Sequence, residues 1–457
     1  MFANASVLRH NIYTLSMLLT VVVLTSCGPT TTSTISPRDR GDLPVEKHFA
    51  YYYHAYPVRG TTVANFRQDI AEAQAIGIDG FLLGYHGWYS SGVNYVGQVA
   101  NMFRAAEGTG FKLALAPIAV SSPFGQADCT IPWNLYRDHP NHLRINGRPV
   151  FVPYGGGGQS TEFWVTTKAA MPGNPLFMPY YGFFHEDPPR SGPTLAEIEK
   201  EWAWRGLARF VDGLTHFSTA GTTSDAIAAE AAYVSFARAK GMPVLAGVKP
   251  YFWIGRLLGN PGRIYYEDNG GEGIAAQFAG LRALNIQYTV ITSWNDMTEG
   301  VLTPAPPAER LRTSLNVDAL QLPTEGAYRL TGFHIKWTDQ TTQPGMDDSL
   351  FVFYRTHPNA AVPTNDPAPV IKVGTITDSI YVTTHCVTAA ELRYNDGAPL
   401  SVAAGIVNTR IPFMPGARQN IKLRRGSTIV REINGVPIVA HPAKYNYFVA
   451  SFYDGPR

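Results

Sequence analysis

His48-Phe49-Ala50-Tyr51-Tyr52-Tyr53, then Val63 to Ile76, then Ile78-Asp79-Gly80-Phe81-Leu82-Leu83-Gly84, set an apolar run, an amphipathic stretch and a second apolar run in succession. Short runs rich in aromatic and branched residues suit strands, and a longer stretch with apolar residues every three to four positions suits a helix. The pattern recurs. Further strands are expected at Phe111 to Ile118, Val150 to Tyr154, Leu176 to Tyr180, Arg209 to Leu214, Pro243 to Val248 and Gln287 to Thr292. Helical stretches lie at Val93 to Glu107, Ser224 to Lys240 and Gly273 to Leu284. Repeated strand-helix units favour a parallel sheet, and eight strands favour a closed (β/α)8 barrel of the TIM type over an open doubly wound sheet.

Active sites of such barrels gather where the strands end. Polar and aromatic residues trail these runs: Tyr53 and His54, with Tyr56, after the first; Tyr85, His86 and Trp88 after the second; His216 after the sixth; Lys249, Tyr251 and Trp253 after the seventh. The eighth leads into Ser293-Trp294-Asn295-Asp296-Met297-Thr298-Glu299-Gly300. Asp296 and Glu299 are the candidate catalytic pair, since glycosidic hydrolysis needs one group to protonate the leaving oxygen and another to activate water or attack carbon. Trp294 offers a flat face for a sugar ring, and Asn295 a neighbouring polar contact. The same spacing also fits a helix cap at Asp296 completed by Glu299. The concentration of polar and aromatic groups at one end of the strands favours the functional reading.

Arg9 and His10 precede an apolar run from Ile12 to Leu24, of signal-peptide length and short for a bilayer span. It ends in Leu24-Thr25-Ser26-Cys27, similar to a bacterial lipobox, so a leader over 1–26 and lipidation of Cys27 are expected, with an ordinary secretory signal or an anchor helix as the alternative. Residues 27–40, rich in Thr, Ser and Pro, read as a flexible tether. The expected location is the cell envelope of a bacterium, at the outer membrane or cell surface. A formal net charge of +2 at pH 7 without a basic cluster gives no support for nucleic acid binding. The 24 Tyr, 23 Phe and 8 Trp suit a carbohydrate cleft or a packed core equally. Beyond Cys27 only Cys129 and Cys386 remain, more simply two buried thiols than an interdomain disulfide. Metal-ligand spacings are missing, so neither metal nor cofactor is expected.

Gly155-Gly156-Gly157-Gly158 lacks the Lys-Ser/Thr of a phosphate loop and reads as a pliable loop at the barrel mouth. Asp79, inside an apolar run, reads as structural; Asp212, before Gly213, is balanced between backbone duty and substrate binding, and is kept among the binding candidates. Glu267, Asp268 and Glu272 suit a helix start. The chain is divided into a barrel over 41–340, closed by a helix from Glu325 to Thr338, and an accessory domain over 341–457. Short runs there, at Leu350 to Tyr354, Ser379 to Thr384, Ile421 to Arg424, Ile429 to Ile433 and Tyr447 to Phe452, predict a β-sandwich.

Phe49-Ala50-Tyr51-Tyr52, Asp69-Ile70, Gly77-Ile78-Asp79-Gly80-Phe81, Gly110-Phe111-Lys112-Leu113, Asn146-Gly147-Arg148-Pro149-Val150, Val211-Asp212-Gly213, Met242-Pro243-Val244 and Pro250-Tyr251-Phe252-Trp253 resemble, in order and spacing, glycoside hydrolase family 71, the α-1,3-glucanases or mutanases. Ser293-Trp294-Asn295-Asp296 with Glu299-Gly300 looks like the family's Trp-Asn-Asp-x-Gly-Glu-Ser signature. The resemblance covers nearly all of residues 47–305. It implies an inverting, metal-free, endo-acting hydrolase of α-1,3-glucan with its carboxylates at Asp296 and Glu299, of which Glu299 is favoured as acid and Asp296 as base. The chain departs from the family at Thr298, at Gly300, and at Ala114-Leu115-Ala116-Pro117-Ile118, where a Ser-Phe-Asp continuation is common. Tyr51-Tyr52-Tyr53 and Thr298-Glu299-Gly300 also resemble the family 99 endo-α-mannosidases. A catalytically silent glycan-binding surface lipoprotein is the third reading. The expected partners are a poly- or oligosaccharide and, through Cys27, a membrane; the expected state is a monomer.

Overall fold

The computed structural model describes residues 47–456 apart from 90–91, 120–123, 156–157, 181–191, 218–220, 255–262, 297–298, 305, 307–322, 341, 346, 367–368 and 417. The expected leader, tether and Cys27, two of the four loop glycines, and Met297 and Thr298 lie outside the described residues.

The protein is a mixed α/β fold. Its principal sheet contains parallel strands β1 (Lys47–Tyr53), β2 (Gly80–Tyr85), β3 (Lys112–Pro117), β4 (Arg148–Phe151), β5 (Leu176–Phe177), β6 (Leu214–Thr215), β7 (Val244–Val248) and β8 (Tyr288–Ile291). The spatial order is β5-β4-β3-β2-β1-β8-β7-β6. The sheet curls, and a parallel bridge between Tyr180 and Thr215 links the chain beyond β5 to β6. Helices α1 (Val63–Ala75), α2 (Tyr95–Ala106), α3 (Gln126–Tyr136), α4 (Thr161–Ala169), α5 (Leu195–Trp204), α6 (Thr223–Ala239), α7 (Gly270–Ala283) and α8 (Glu325–Gln340) complete this part.

Side chains alternate across the sheet, as a pleated backbone requires. Phe49, Tyr51, Tyr53, Leu82, Ala114, Val150, Leu245 and Val290 meet in an inner cluster. Their neighbours Ala50, Tyr52, Phe81, Leu83, Leu113, Phe151 and Ile291 face the other way and join the helices in a second, larger cluster. Burial of both faces explains why these strands read as continuous apolar runs.

The expected sixth strand at Arg209 to Leu214 is displaced: Leu207–Arg209 form a 3-10 turn and pairing begins only at Leu214. Asp212 is fixed before that strand by Arg148 at 2.8 Å and Lys168 at 2.7 Å, which satisfies the carboxylate locally. Asp79 is structural, accepting from Lys47 Nζ and the His48 amide, each at 2.9 Å.

After α8 come two four-stranded antiparallel sheets. One orders Gly405–Pro412, Ser379–Cys386, Ser349–Arg355 and Val449–Asp454; the other orders Leu400–Val402, Ala390–Tyr394, Arg418–Arg425 and Thr428–Pro437. Leu350, Val352 and Ile380 of the first share one apolar cluster with Leu392, Ile421 and Leu423 of the second. Residues 44–457 form one compact unit. Cys129 and Cys386 are both free and buried.

Candidate active site

Beyond β8 the chain turns back on itself. Asn295–Asp296 pair antiparallel with Gly300–Val301, and the Glu299 amide donates to the Asp296 carbonyl at 3.3 Å. The capping alternative therefore gives way to a hairpin. Ser293 braces it from within: its hydroxyl accepts from the Asp296 amide at 2.6 Å and donates to the Gly300 carbonyl at 2.8 Å. Gly300 suits this place, because a Cβ there would stand 2.9 Å from the Tyr251 carbonyl oxygen. A Ser at that position would force the neighbouring loop to move.

Asn295, wholly buried, ties the hairpin to the end of β1. Its Oδ1 accepts from the Tyr53 amide at 2.7 Å, and its Nδ2 donates to the carbonyls of Tyr53 at 3.0 Å and Tyr56 at 2.6 Å. Its side-chain amide is engaged by backbone partners, so Asn295 braces the hairpin against the end of β1.

Tyr53 is the last residue of β1. Its phenol is driven well above the ordinary value, first by burial, then by the charges of Tyr154, Asp296 and Glu299. Tyr251 is raised as well, by burial foremost, with Asp296 adding to it. Asp296 is buried, while Glu299 is partly exposed.

Around Tyr53 stands a set of rings that the strand-by-strand reading did not single out. Tyr51 lies 6.3 Å from Tyr53 and 4.9 Å from Phe217, and Tyr154 lies 4.9 Å from both Phe217 and Tyr180. Their signal was positional: Tyr51 shares the parity of Phe49 and Tyr53, the inward side of β1. Tyr89, just beyond β2, leaves 71% of its surface exposed.

Several sequence candidates lie elsewhere. Trp294 is completely buried, with its ring 5.5 Å from Phe81 and 6.3 Å from Tyr328, and has no face left for a sugar. Trp253 is equally buried, 5.2 Å from Tyr447. Lys249 is buried against Asp268 at 3.0 Å and donates to the Gly221 carbonyl at 2.6 Å, a pair that anchors the chain after β7. Asp268, expected to begin a helix, accepts from Lys249 and from the Phe252 amide, whereas Glu272 does sit in the first turn of α7. His216 bonds Glu230 and stacks on Tyr233 at 4.3 Å, with its ring 6.3 Å from that of Tyr180 in the inner cluster. Tyr85 donates to the Asp128 carbonyl at 3.1 Å, and the buried Trp88 ring lies 5.4 Å from it. His54 is buried and held neutral by that burial, down to about 3. His86 remains half-buried beside Tyr95 at 6.5 Å.

The hairpin bearing the two acids is thus tied to the end of β1, where Tyr53 joins the inner aromatic cluster. The chain belongs to glycosyl hydrolase family 71, whose model matches residues 46–455. A mutanase of Penicillium rubens is similar at 23% identity over 444 residues, covering 95% of each chain. Among solved structures, a family 99 endo-α-mannosidase from Bacteroides thetaiotaomicron aligns with 64% of this chain and 96% of its own at TM-score 0.48 and 16% identity. A putative α-L-fucosidase from the same organism covers 64% and 99% at TM-score 0.40 and 12% identity.

Proposed function

We propose that this protein is an endo-acting, inverting hydrolase of α-1,3-glucan, with Glu299 as general acid and Asp296 as general base. The observation that supports the site is the hairpin carrying both acids, tied through Asn295 to the end of β1 at Tyr53. Family membership supports a glycosidase, and the mutanase relative supports the linkage. In this reading Glu299, the more exposed of the two, protonates the glycosidic oxygen, and the buried Asp296 draws a proton from water. Inversion requires the carboxyl groups to stand roughly 6.5–9.5 Å apart, leaving room for that water. Tyr53, Tyr154 and His86 are among the proposed sugar contacts.

In this reading the frame is a (β/α)8 barrel carrying a β-sandwich, and the chain is tethered to a bacterial envelope through acylated Cys27. The run from Ile12 to Leu24 and the Leu24-Thr25-Ser26-Cys27 sequence support the tether. A panel of insoluble α-1,3-glucan, α-1,6-glucan, β-1,3-glucan and α-mannan, scored by product mass, tests the function. Oligomers released from α-1,3-glucan support it. Release from α-mannan alone would replace it with the mannosidase reading, and binding without release with the silent lipoprotein.

A further inference from the structure

Glu299 is held from behind by residues far along the chain. Its carbonyl accepts from the Trp253 amide at 3.0 Å. Trp253 lies in the strand Phe252–Ile254, antiparallel to Arg263–Tyr266, with Trp253 opposite Tyr265. Arg263–Tyr266 in turn pairs in parallel with Val370–Val373, beyond α8. Continuous backbone pairing therefore connects the C-terminal part of the chain to the acid at the hairpin.

A buried ion pair fixes this small sheet. The Arg263 guanidinium donates to Asp366 at 2.5 Å, and the same carboxylate oxygen accepts from the Tyr445 amide at 3.1 Å. The guanidinium also lies 5.2 Å from the centre of the Trp253 ring and 5.5 Å from that of Tyr445. Both partners are buried. Such a pair is a poor source of net stability, since desolvation offsets the attraction, but it demands one geometry from everything it touches. What it touches includes the residue whose amide holds Glu299.

We infer that Asp366 and Arg263 are positioning residues for Glu299: the pair seats Trp253, and the Trp253 amide sets the main chain from which the acid projects. The inference rests on the proposed role of Glu299. It makes the C-terminal part an integral component of the active site, for which a separable sugar-binding attachment is the contrasting role.

The test uses the full chain on α-1,3-glucan. Asp366→Asn keeps size and an acceptor for Tyr445 while removing the charge. It should lower kcat about 10- to 100-fold through misplacement of the acid, leave KM within about twofold, and retain cooperative unfolding. Asp366→Glu should recover part of the lost kcat. Arg263→Lys, which keeps the charge but loses the flat plate over Trp253, should show the same kcat-selective loss and serves if Asp366→Asn does not fold. A folded Asp366→Asn or Arg263→Lys variant with unchanged kcat overturns the inference, as does a loss confined to KM. Glu299→Gln run alongside separates the two claims: if it stays active, the role of Glu299 fails; if it is dead while the pair variants turn over normally, only the positioning fails.

Discussion

Asn295→Ala is the sharpest perturbation of the site's frame. The substitution removes three buried hydrogen bonds, of 2.7, 3.0 and 2.6 Å, between Asn295 and the backbone of Tyr53 and Tyr56. At about 1 kcal/mol net for each, plus about 1 kcal/mol or more for the Tyr53 amide left buried without a partner, the loss comes to about 4 kcal/mol. That is a large share of a typical stability of ~5–15 kcal/mol, and urea unfolding followed by tryptophan fluorescence would show it directly. Asn295→Asp provides a check on the mechanism. Its carboxyl keeps the acceptor for the Tyr53 amide but turns its second oxygen toward two carbonyls, so the buried acid should hold a proton and titrate above its ordinary value. A group with a raised folded value contributes stability below its unfolded pKa and loses it as pH rises. The deficit of Asn295→Asp relative to the native chain should therefore grow from pH 4.5 to pH 7. A loss under 1 kcal/mol for Asn295→Ala, or a pH-indifferent deficit for Asn295→Asp, would refute the reasoning.

Trp294→Ala should cost ~3–5 kcal/mol, the usual penalty for emptying a large aromatic site, whereas Trp294→Phe should bind glucan as the native chain does; weaker pull-down by a folded Trp294→Phe would return Trp294 to the sugar site. Asp212→Asn, relieved of Arg148 and Lys168, should lower the melting temperature while leaving KM unchanged. Burial holds His54 and His334 down to about 3 and His142, His357 and His385 down to about 4, so each contributes stability above about pH 6.5 that is lost as pH falls toward those values. Stability measured from pH 7 to pH 4 should fall with a slope approaching about 1.4 kcal/mol per pH unit for each histidine. Asp69, pushed by burial up to about 6, and Glu267 and Asp268, also raised by burial, work the other way, three carboxyls against five histidines. A flat profile would contradict the buried, neutral assignment.

Strands β1, β2, β3, β7 and β8 were legible because both faces of the sheet are buried, which leaves unbroken apolar runs. The short pairings at Leu176–Phe177 and Leu214–Thr215 carry too few residues to mark their own ends, so the sixth strand was expected too early. That shift put Asp212 inside a strand when it stands before one. Helix α3 was hidden by Pro132 in its interior. For α5 the signal was present in the Thr194/Glu197 capping box and went unread.

At the site, spacing and neighbourhood single out Asp296 and Glu299 as candidates, but spacing does not reveal parity. Whether a ring beyond a strand end faces the interior or the helices depends on a single residue of register. The inward side of Tyr51 and the full burial of Trp294 and Trp253 are therefore not marked in the sequence. Lys249 and Asp268 were separated by the hairpin between them, and only folding shows that they neutralise each other.

The account's central claim is that Asp296 and Glu299 carry the chemistry. The direct measurement is reducing-sugar release from insoluble α-1,3-glucan by folded Asp296→Asn and Glu299→Gln, with pull-down on the same polymer in parallel. Loss of release with binding retained is the predicted result, since removing an acid or base costs rate far more than ground-state affinity. Near-normal release by either variant would contradict it.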